Sequence, residues 1–405
     1  MPNVTQRRMR RIIGTAGGVA AGASVANALG YVLTVIAARV LGPAEFGAFS
    51  ALLALIIVGN VAALAIQATV ARDIVRGRPT GDTVVGGLIL AALVGGVLVA
   101  ATPVVSAFLS LPSAAAAVAA GTAIAAMTAT GPALGTIQGR ERFHALGAAV
   151  AAQAGLRVAG GLAGMAMSPT AAGALTGMAV GLVFAGVGIW LLAKPPVHGG
   201  SGVWSAAIST LGAGGVLLGF VVMTNADVVM ARHVLSAEAS GLYGAGAIFT
   251  KIAFWLPQFV PLVAFPALAD PNRRKGAMRL GLLAVAGSGA VLVAVTALFA
   301  APAVSLVAGN QYEELTAWVA GFTALGALFA VAQLLVYAHL ASGDRPTTVV
   351  VWVVLVGYVA VVETTATTLP GVLFPALGAA TIVCLWGLIR ERTSRQRPEP
   401  TPSLL

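Results

Sequence analysis

Residues 46 to 71 read FGAFSALLALIIVGNVAALAIQATVA, twenty-six positions without one charged side chain. About 20 apolar residues are enough for a helix to cross the hydrocarbon core of a bilayer, so this stretch reads as a membrane span. Apolar runs of similar length continue on both sides of it. Twelve spans are predicted, over residues 12–41, 46–71, 83–109, 112–137, 143–167, 170–193, 204–231, 240–265, 277–307, 315–340, 347–364 and 369–388. The breaks are short and polar, among them Gly42-Pro43-Ala44-Glu45, Leu111-Pro112-Ser113, Gln138 to Arg142, Ser168-Pro169, Lys194-Pro195-Pro196, Pro271 to Lys275 and Gly343 to Pro346. Loops of that size join antiparallel neighbours. In lipid every backbone polar group must be satisfied within the protein, so the expected fold class is an all-α integral membrane protein.

Composition agrees. Of 405 residues, 59% are hydrophobic and 9% charged, and the mean hydropathy is +0.95. A soluble chain carries roughly 25% charged residues, so a water-facing exterior is excluded. One cysteine, Cys384, excludes an internal disulfide and a thiolate metal cluster. No cofactor is expected, and nothing in the sequence points to nucleic acid.

The basic residues set the orientation. With the N-terminus in the cytoplasm, nineteen Lys and Arg fall in cytoplasmic segments, against Arg39 and Arg232 outside. Cytoplasmic loops carry the excess, which places both termini inside and the protein in the cell membrane. The run from Ile12 to Leu41 is too long for the 7–15-residue core of a signal peptide, so it reads as a retained first span. The organisation expected is a cytoplasmic tail (1–11), a six-helix bundle (12–193), a cytoplasmic linker (194–203), a second six-helix bundle (204–388) and a disordered cytoplasmic tail (389–405).

The two bundles read as repeats. Val40-Leu41-Gly42 followed by Gly47-Ala48-Phe49 recurs as Val234-Leu235-Ser236 followed by Gly241-Leu242-Tyr243, at an offset of 194. The same offset maps span one onto seven and two onto eight. A shift of six spans keeps the direction of each helix, so the halves are parallel and related by an axis along the membrane normal. Gly14/Gly18/Gly22, Gly160/Gly164 and Gly215/Gly219 have the spacing that lets helix backbones approach closely, read here as packing within the chain.

The chemistry-bearing residues are the polar ones inside spans. A charge at mid-span costs about 2.5–3.5 kcal/mol even on insertion scales. Arg157 lies near the middle of span five and Lys251 near the middle of span eight, with Asp227 in the outer third of span seven. Gln153 lies one turn from Arg157. Lys251, Trp255 and Gln258 share a stripe, Asn225 lies beside Asp227, and Asn60 and Gln67 form a further stripe on span two. Asp227 and Lys251 read either as a structural ion pair or as part of a wet central cavity. The three charges leave one net positive charge, which suits an anion, and the Arg fork suits phosphate in particular. The four histidines lack ligand spacing, and no phosphate-binding GxxxxGK[ST] loop is present.

Ala38-Arg39-Val40-Leu41-Gly42-Pro43-Ala44-Glu45-Phe46-Gly47 resembles the turn after the first helix of bacterial polysaccharide-biosynthesis flippases. These belong to the multidrug/oligosaccharidyl-lipid/polysaccharide (MOP) exporter superfamily. Asn225-Ala226-Asp227, Gly241-Leu242-Tyr243, Lys251 and Phe265-Pro266-Ala267-Leu268 resemble the same family's second half. The resemblance implies two six-helix bundles around a central cavity, as in MATE transporters and flippases, with alternating access. It implies a polyprenyl-(pyro)phosphate-linked oligosaccharide as substrate, moved from the inner to the outer leaflet for cell-surface polysaccharide synthesis. Arg157 and Lys251 would then serve its phosphates, and glycan-polymerising or ligating membrane proteins would be neighbours. The chain departs from lipid II flippases in having twelve predicted spans rather than fourteen, and it has one clearly buried acid.

Two other classes compete. A MATE-type drug/cation antiporter needs cavity acids, which are scarce here. A polytopic polyprenyl-dependent glycosyltransferase or ligase needs an outer loop rich in acids or bases, where only Arg232, His233 and Glu238 are at hand. A non-enzymatic flippase is the expectation.

Overall fold

A computed structural model describes residues 4–213, 215–258, 274–341 and 345–394. Among the described residues the regular structure is entirely helical. The α-helices are α1 (Val4–Val40), α2 (Pro43–Val75), α3 (Gly81–Ala100), α4 (Thr102–Phe108), α5 (Ala114–Gly139), α6 (Phe143–Met167), α7 (Ala171–Ala193), α8 (Val203–Ala213), α9 (Gly215–Val234), α10 (Ala237–Trp255), α11 (Arg274–Leu298), α12 (Ala300–Val307), α13 (Val319–Ala341), α14 (Arg345–Thr365) and α15 (Leu369–Ser394). Short 3-10 segments cover Leu256–Gln258 and Asn310–Ala317.

Over the described residues, ten helices are long and apolar enough to cross a membrane. They match expected spans one to six and nine to twelve. The expected seventh span corresponds to α8 with α9, and the eighth begins as α10. The Phe265 to Leu268 motif lies outside the described residues.

Two expected spans are each broken in two. The run 83–109 divides into α3 and α4, and 277–307 into α11 and α12. Proline explains both breaks, because its ring collides with the carbonyl four residues back and it lacks an N–H. Pro103 sets that collision at Val99, and Pro302 sets it at Leu298. The sequences around the breaks, Pro103-Val104-Val105-Ser106 and Pro302-Ala303-Val304-Ser305, are near copies. They lie 199 residues apart, so they continue the repeat of the turn with five more residues in the second copy.

The chain divides into two compact units, Met1–Gly244 and Ala245–Leu405. The division falls within α10, so the 194–203 connection lies inside the first unit. There, α2 packs on α5 and α9, α6 lies between α1 and α7, and α3 packs on α5 and α8. The α6–α7 crossing is built on glycine. A Cβ added at Gly160 or Gly164 would overlap the carbonyl of Gly177 or Gly173, and one at Gly181 would overlap that of Leu156. The predicted spacing is therefore used within the chain, and α7 supplies the answering stripe Gly173/Gly177/Gly181. Gly22 meets the Gly147 backbone of α6 in the same way.

In the second unit α13 packs against α11 and α15, and α14 against α15. Thr250 at the end of α10 donates to the Phe322 carbonyl at 2.9 Å, and Gly326 sits against the Thr250 carbonyl. Cys384 is buried, with its thiol on the Leu328 carbonyl at 3.3 Å. It is a small packing residue.

The turn repeat holds in the backbone. α1 and α9 end at Val40 and Val234, and α2 and α10 begin at Pro43 and Ala237, each pair at the offset of 194. The repeated positions also meet one another. Gly47 packs on Ser240 and Gly241, Gly241 packs on the Pro43 backbone, and Gly244 packs on Ser50. A position that touches its own repeat lies on the symmetry axis, so a local two-fold axis passes through Gly47/Gly241 and Ser50/Gly244.

Candidate functional site

Arg157 lies near mid-length in α6. It stands fourteen residues from Phe143 and ten from Met167 in α6. At 1.5 Å per residue that is about 21 Å from one helix end and about 15 Å from the other. Its Nε is buried without a hydrogen-bond partner, and the side chain makes no hydrogen bond or ion pair with any described residue. One terminal nitrogen points to the bare backbone of Gly30 in α1, where an added Cβ would lie 3.2 Å from it. A buried charged nitrogen without a hydrogen-bond partner is unfavourable, and the rest of this side chain is half-buried. Gln153, one turn earlier, is half-buried and makes no hydrogen bond among the described residues.

The remaining predicted positions are used differently. Gln67 donates to Gln138 of α5 at 2.8 Å, so it ties α2 to α5. Asn60 on the same helix is half-buried and makes no hydrogen bond among the described residues. Asn225 is buried and donates to the Val221 carbonyl of its own helix at 2.7 Å. Asp227 is buried and accepts the Tyr243 hydroxyl at 3.2 Å, which joins α9 to α10. Lys251, in the second unit, is half-buried in α10. The helix ends at Trp255 and continues as a 3-10 turn through Pro257, so the seven-residue register from Lys251 to Gln258 is not kept. The Gln258 side chain lies outside the described residues.

Polar contacts that the sequence did not reveal pin the two ends of the first unit. At the end carrying the Arg140 loop, Thr83 donates to Asp73 at 2.8 Å. Arg140 donates to the Ala193 carbonyl at 2.7 Å, a cation on the C-terminus of α7. Asp82 accepts the Gly200 amide. At the end carrying the Gly42 turn, Thr170 caps α7 and Glu45 accepts the Ala171 amide at 2.7 Å. Both satisfy donors that a helix start leaves open.

Arg232, counted in the sequence among the outer-segment charges, is only 4% exposed. Its Nε donates to the Leu109 carbonyl at 2.9 Å and one terminal nitrogen to that of Ser110 at 2.9 Å. The other terminal nitrogen reaches the Ala44 carbonyl at 3.2 Å, the Ala237 carbonyl at 3.4 Å and the Ser240 hydroxyl at 3.0 Å. Beside it, the His233 ring stacks on Phe108 at 3.9 Å and its Nδ1 is 2.7 Å from the Phe108 carbonyl. Among the described residues, no group of His, Cys, Asp or Glu could hold a metal ion.

No protein-family model and no curated protein matches the chain. Solved structures do resemble it. The lipid II flippase MurJ in an inward closed conformation superposes with a TM-score of 0.70 at 11% identity, over 91% of this chain and 87% of that one. The eukaryotic MATE transporter AtDTX14 gives 0.67 at 11% identity, over 97% and 96%. A MATE transporter in complex with MaD5 gives 0.62 at 16% identity, over 94% and 95%. Identity this low shows the fold, and the chain is a multi-pass, all-helical membrane protein with the fold shared by MATE transporters and MurJ.

Proposed function

We propose that this chain is a membrane transporter of the MOP exporter type. It flips a polyprenyl-(pyro)phosphate-linked oligosaccharide from the inner to the outer leaflet by alternating access, for cell-surface polysaccharide synthesis. The observation that carries the reading is Arg157, half-buried at mid-length in α6, whose Nε is buried without a hydrogen-bond partner. A lipid-linked saccharide carries its charge where tail meets sugar, so that charge must cross the apolar midplane. A cation fixed at that depth replaces the water the phosphate loses, and the Arg fork can hold two phosphate oxygens at once. Lys251, in the expected eighth span, supplies a second cation. Both termini and the Arg140 loop face the cytoplasm, and the Gly42 turn faces outward. The partners are the substrate, the membrane lipids and glycan-polymerising or ligating proteins.

A second reading has one observation in its favour. Asp227 is a buried carboxyl in a spanning region, as a drug/cation antiporter requires, although its oxygen already accepts the Tyr243 hydroxyl. One experiment separates the two. In a deletion strain carrying the Arg157→Ala protein, lipid-linked saccharide accumulates in the inner leaflet while protein level and thermal stability stay unchanged. Arg157→Lys restores export in part, since Lys offers a point charge without the fork. Wild-type export by the alanine variant overturns the flippase reading. Drug sensitivity lost with Asp227→Asn but not with Arg157→Ala supports the antiporter.

A further inference from the structure

We propose that Arg232, assisted by His233, is a latch that holds the Gly42 end of the first unit shut and must open in each transport cycle. The proposal rests on the transporter reading and adds to it a site remote from Arg157.

The partners of Arg232 come from both repeats. Leu109, Ser110 and Ala44 belong to the first, and Ala237 and Ser240 to the second. Helix α4 is short, and its last carbonyls have no partners within the helix. Arg232 and His233 sit on that C-terminal edge and contact the carbonyls of Phe108, Leu109 and Ser110 in succession. Cations suit the C-terminal end of a helix. Ser110 turns sharply there, with φ of 45°. The carboxylates of Glu45 and Glu238 add their pull on the guanidinium.

A latch differs from a strut in what it joins. The first-repeat turns at 41–43 and 109–113 and the second-repeat hairpin α9–α10 meet at the local two-fold axis. Repeats that rock against each other about a line in the membrane plane part at one end while they close at the other. At this end the parting must break the Arg232 and His233 contacts. The symmetry is also incomplete. At the offset of 194, Arg232 corresponds to Ala38. Arg232 therefore has no counterpart at its own repeat position, and its hydrogen bonds run to neutral oxygens.

Two measurements test the latch. In a Cys384→Ser background, Ser50→Cys places a thiol on α2 close beneath these turns, at a position 9% exposed. A membrane-impermeant maleimide added to cells labels it slowly. With Arg232→Gln added, labelling becomes at least about tenfold faster, the population change that follows from losing little more than one net hydrogen bond. Arg232→Lys is intermediate. Equal rates with and without Arg232→Gln, both proteins being folded, overturn the latch, and this readout does not depend on what is transported. If Arg232→Gln fails to fold, the second measurement decides. Phe108→Cys with His233→Cys, joined by a short bifunctional methanethiosulfonate, locks the contact. Locked protein shows slower amide exchange over residues 44–50, and export stops until the link is reduced. Unchanged exchange and unchanged export in the linked protein refute the proposal. Slower exchange without any export by the unlinked protein supports the latch and rejects the substrate.

Discussion

Arg232 gives its donors to five oxygens, whereas Arg157 leaves a buried Nε with none. One residue type thus stands in two different surroundings, its donors satisfied by turn oxygens in one place and one of them left open in the other. The space beside Arg157 is kept by Gly30, and a Cβ there would stand 3.2 Å from the guanidinium. Gly30→Val should therefore displace the fork without touching the core behind it. We expect export to fall about tenfold or more, the effect of misplacing a positioning group by about 1 Å being up to a hundredfold. The melting temperature should shift little, and Gly30→Ala should lie between. A variant that exports normally would show that the Gly30 side of Arg157 faces no substrate. At this scale the sequence was legible only in part. Arg157 stood out because a lone charge in an apolar run is rare. Arg232 did not, because its partners at Leu109 and Ser110 are more than a hundred residues away and are backbone atoms that any side chain would carry.

The helices show the same division. Over the described residues the long apolar runs are helical, since lipid leaves the backbone no other solution. What the runs concealed was their interruption. Pro103 and Pro302 stand within apolar stretches, and hydropathy does not register a missing N–H. The α6–α7 crossing was visible from Gly160 and Gly164, but its closeness depends on the facing Gly173, Gly177 and Gly181. Gly160→Ala should cost about 1–3 kcal/mol, as overpacking of a close contact does. Gly188→Ala, on the facing helix α7 but with nothing within 4 Å of the added carbon, should be neutral or slightly stabilising. Thermal unfolding in detergent distinguishes them, and equal melting temperatures would refute the tight crossing.

Over the whole molecule the charge bias makes a statement about topology. Reporter fusions after Arg345 and after Glu45 should give opposite signals, cytoplasmic for the first and external for the second. Equal signals would sink the twelve-span arrangement. The repeat was legible at its turn because glycine and aromatic positions recur there. It was not legible at the charged positions, where Lys251 corresponds to Ile57 and Asp227 to Leu33.

The contact of Gly47 with Gly241 carries a consequence of its own. A residue on a dyad faces its own copy, so while two copies are identical any change arrives in duplicate. A methyl group added at Gly47 would run into the Ser240 hydroxyl and the Gly241 amide, and one added at Gly241 would run into the Pro43 backbone. Each position is therefore held to glycine separately, by a different neighbour in the other copy. At Ser50 and Gly244 the copies already differ, and there the glycine of one makes room for the hydroxyl of the other.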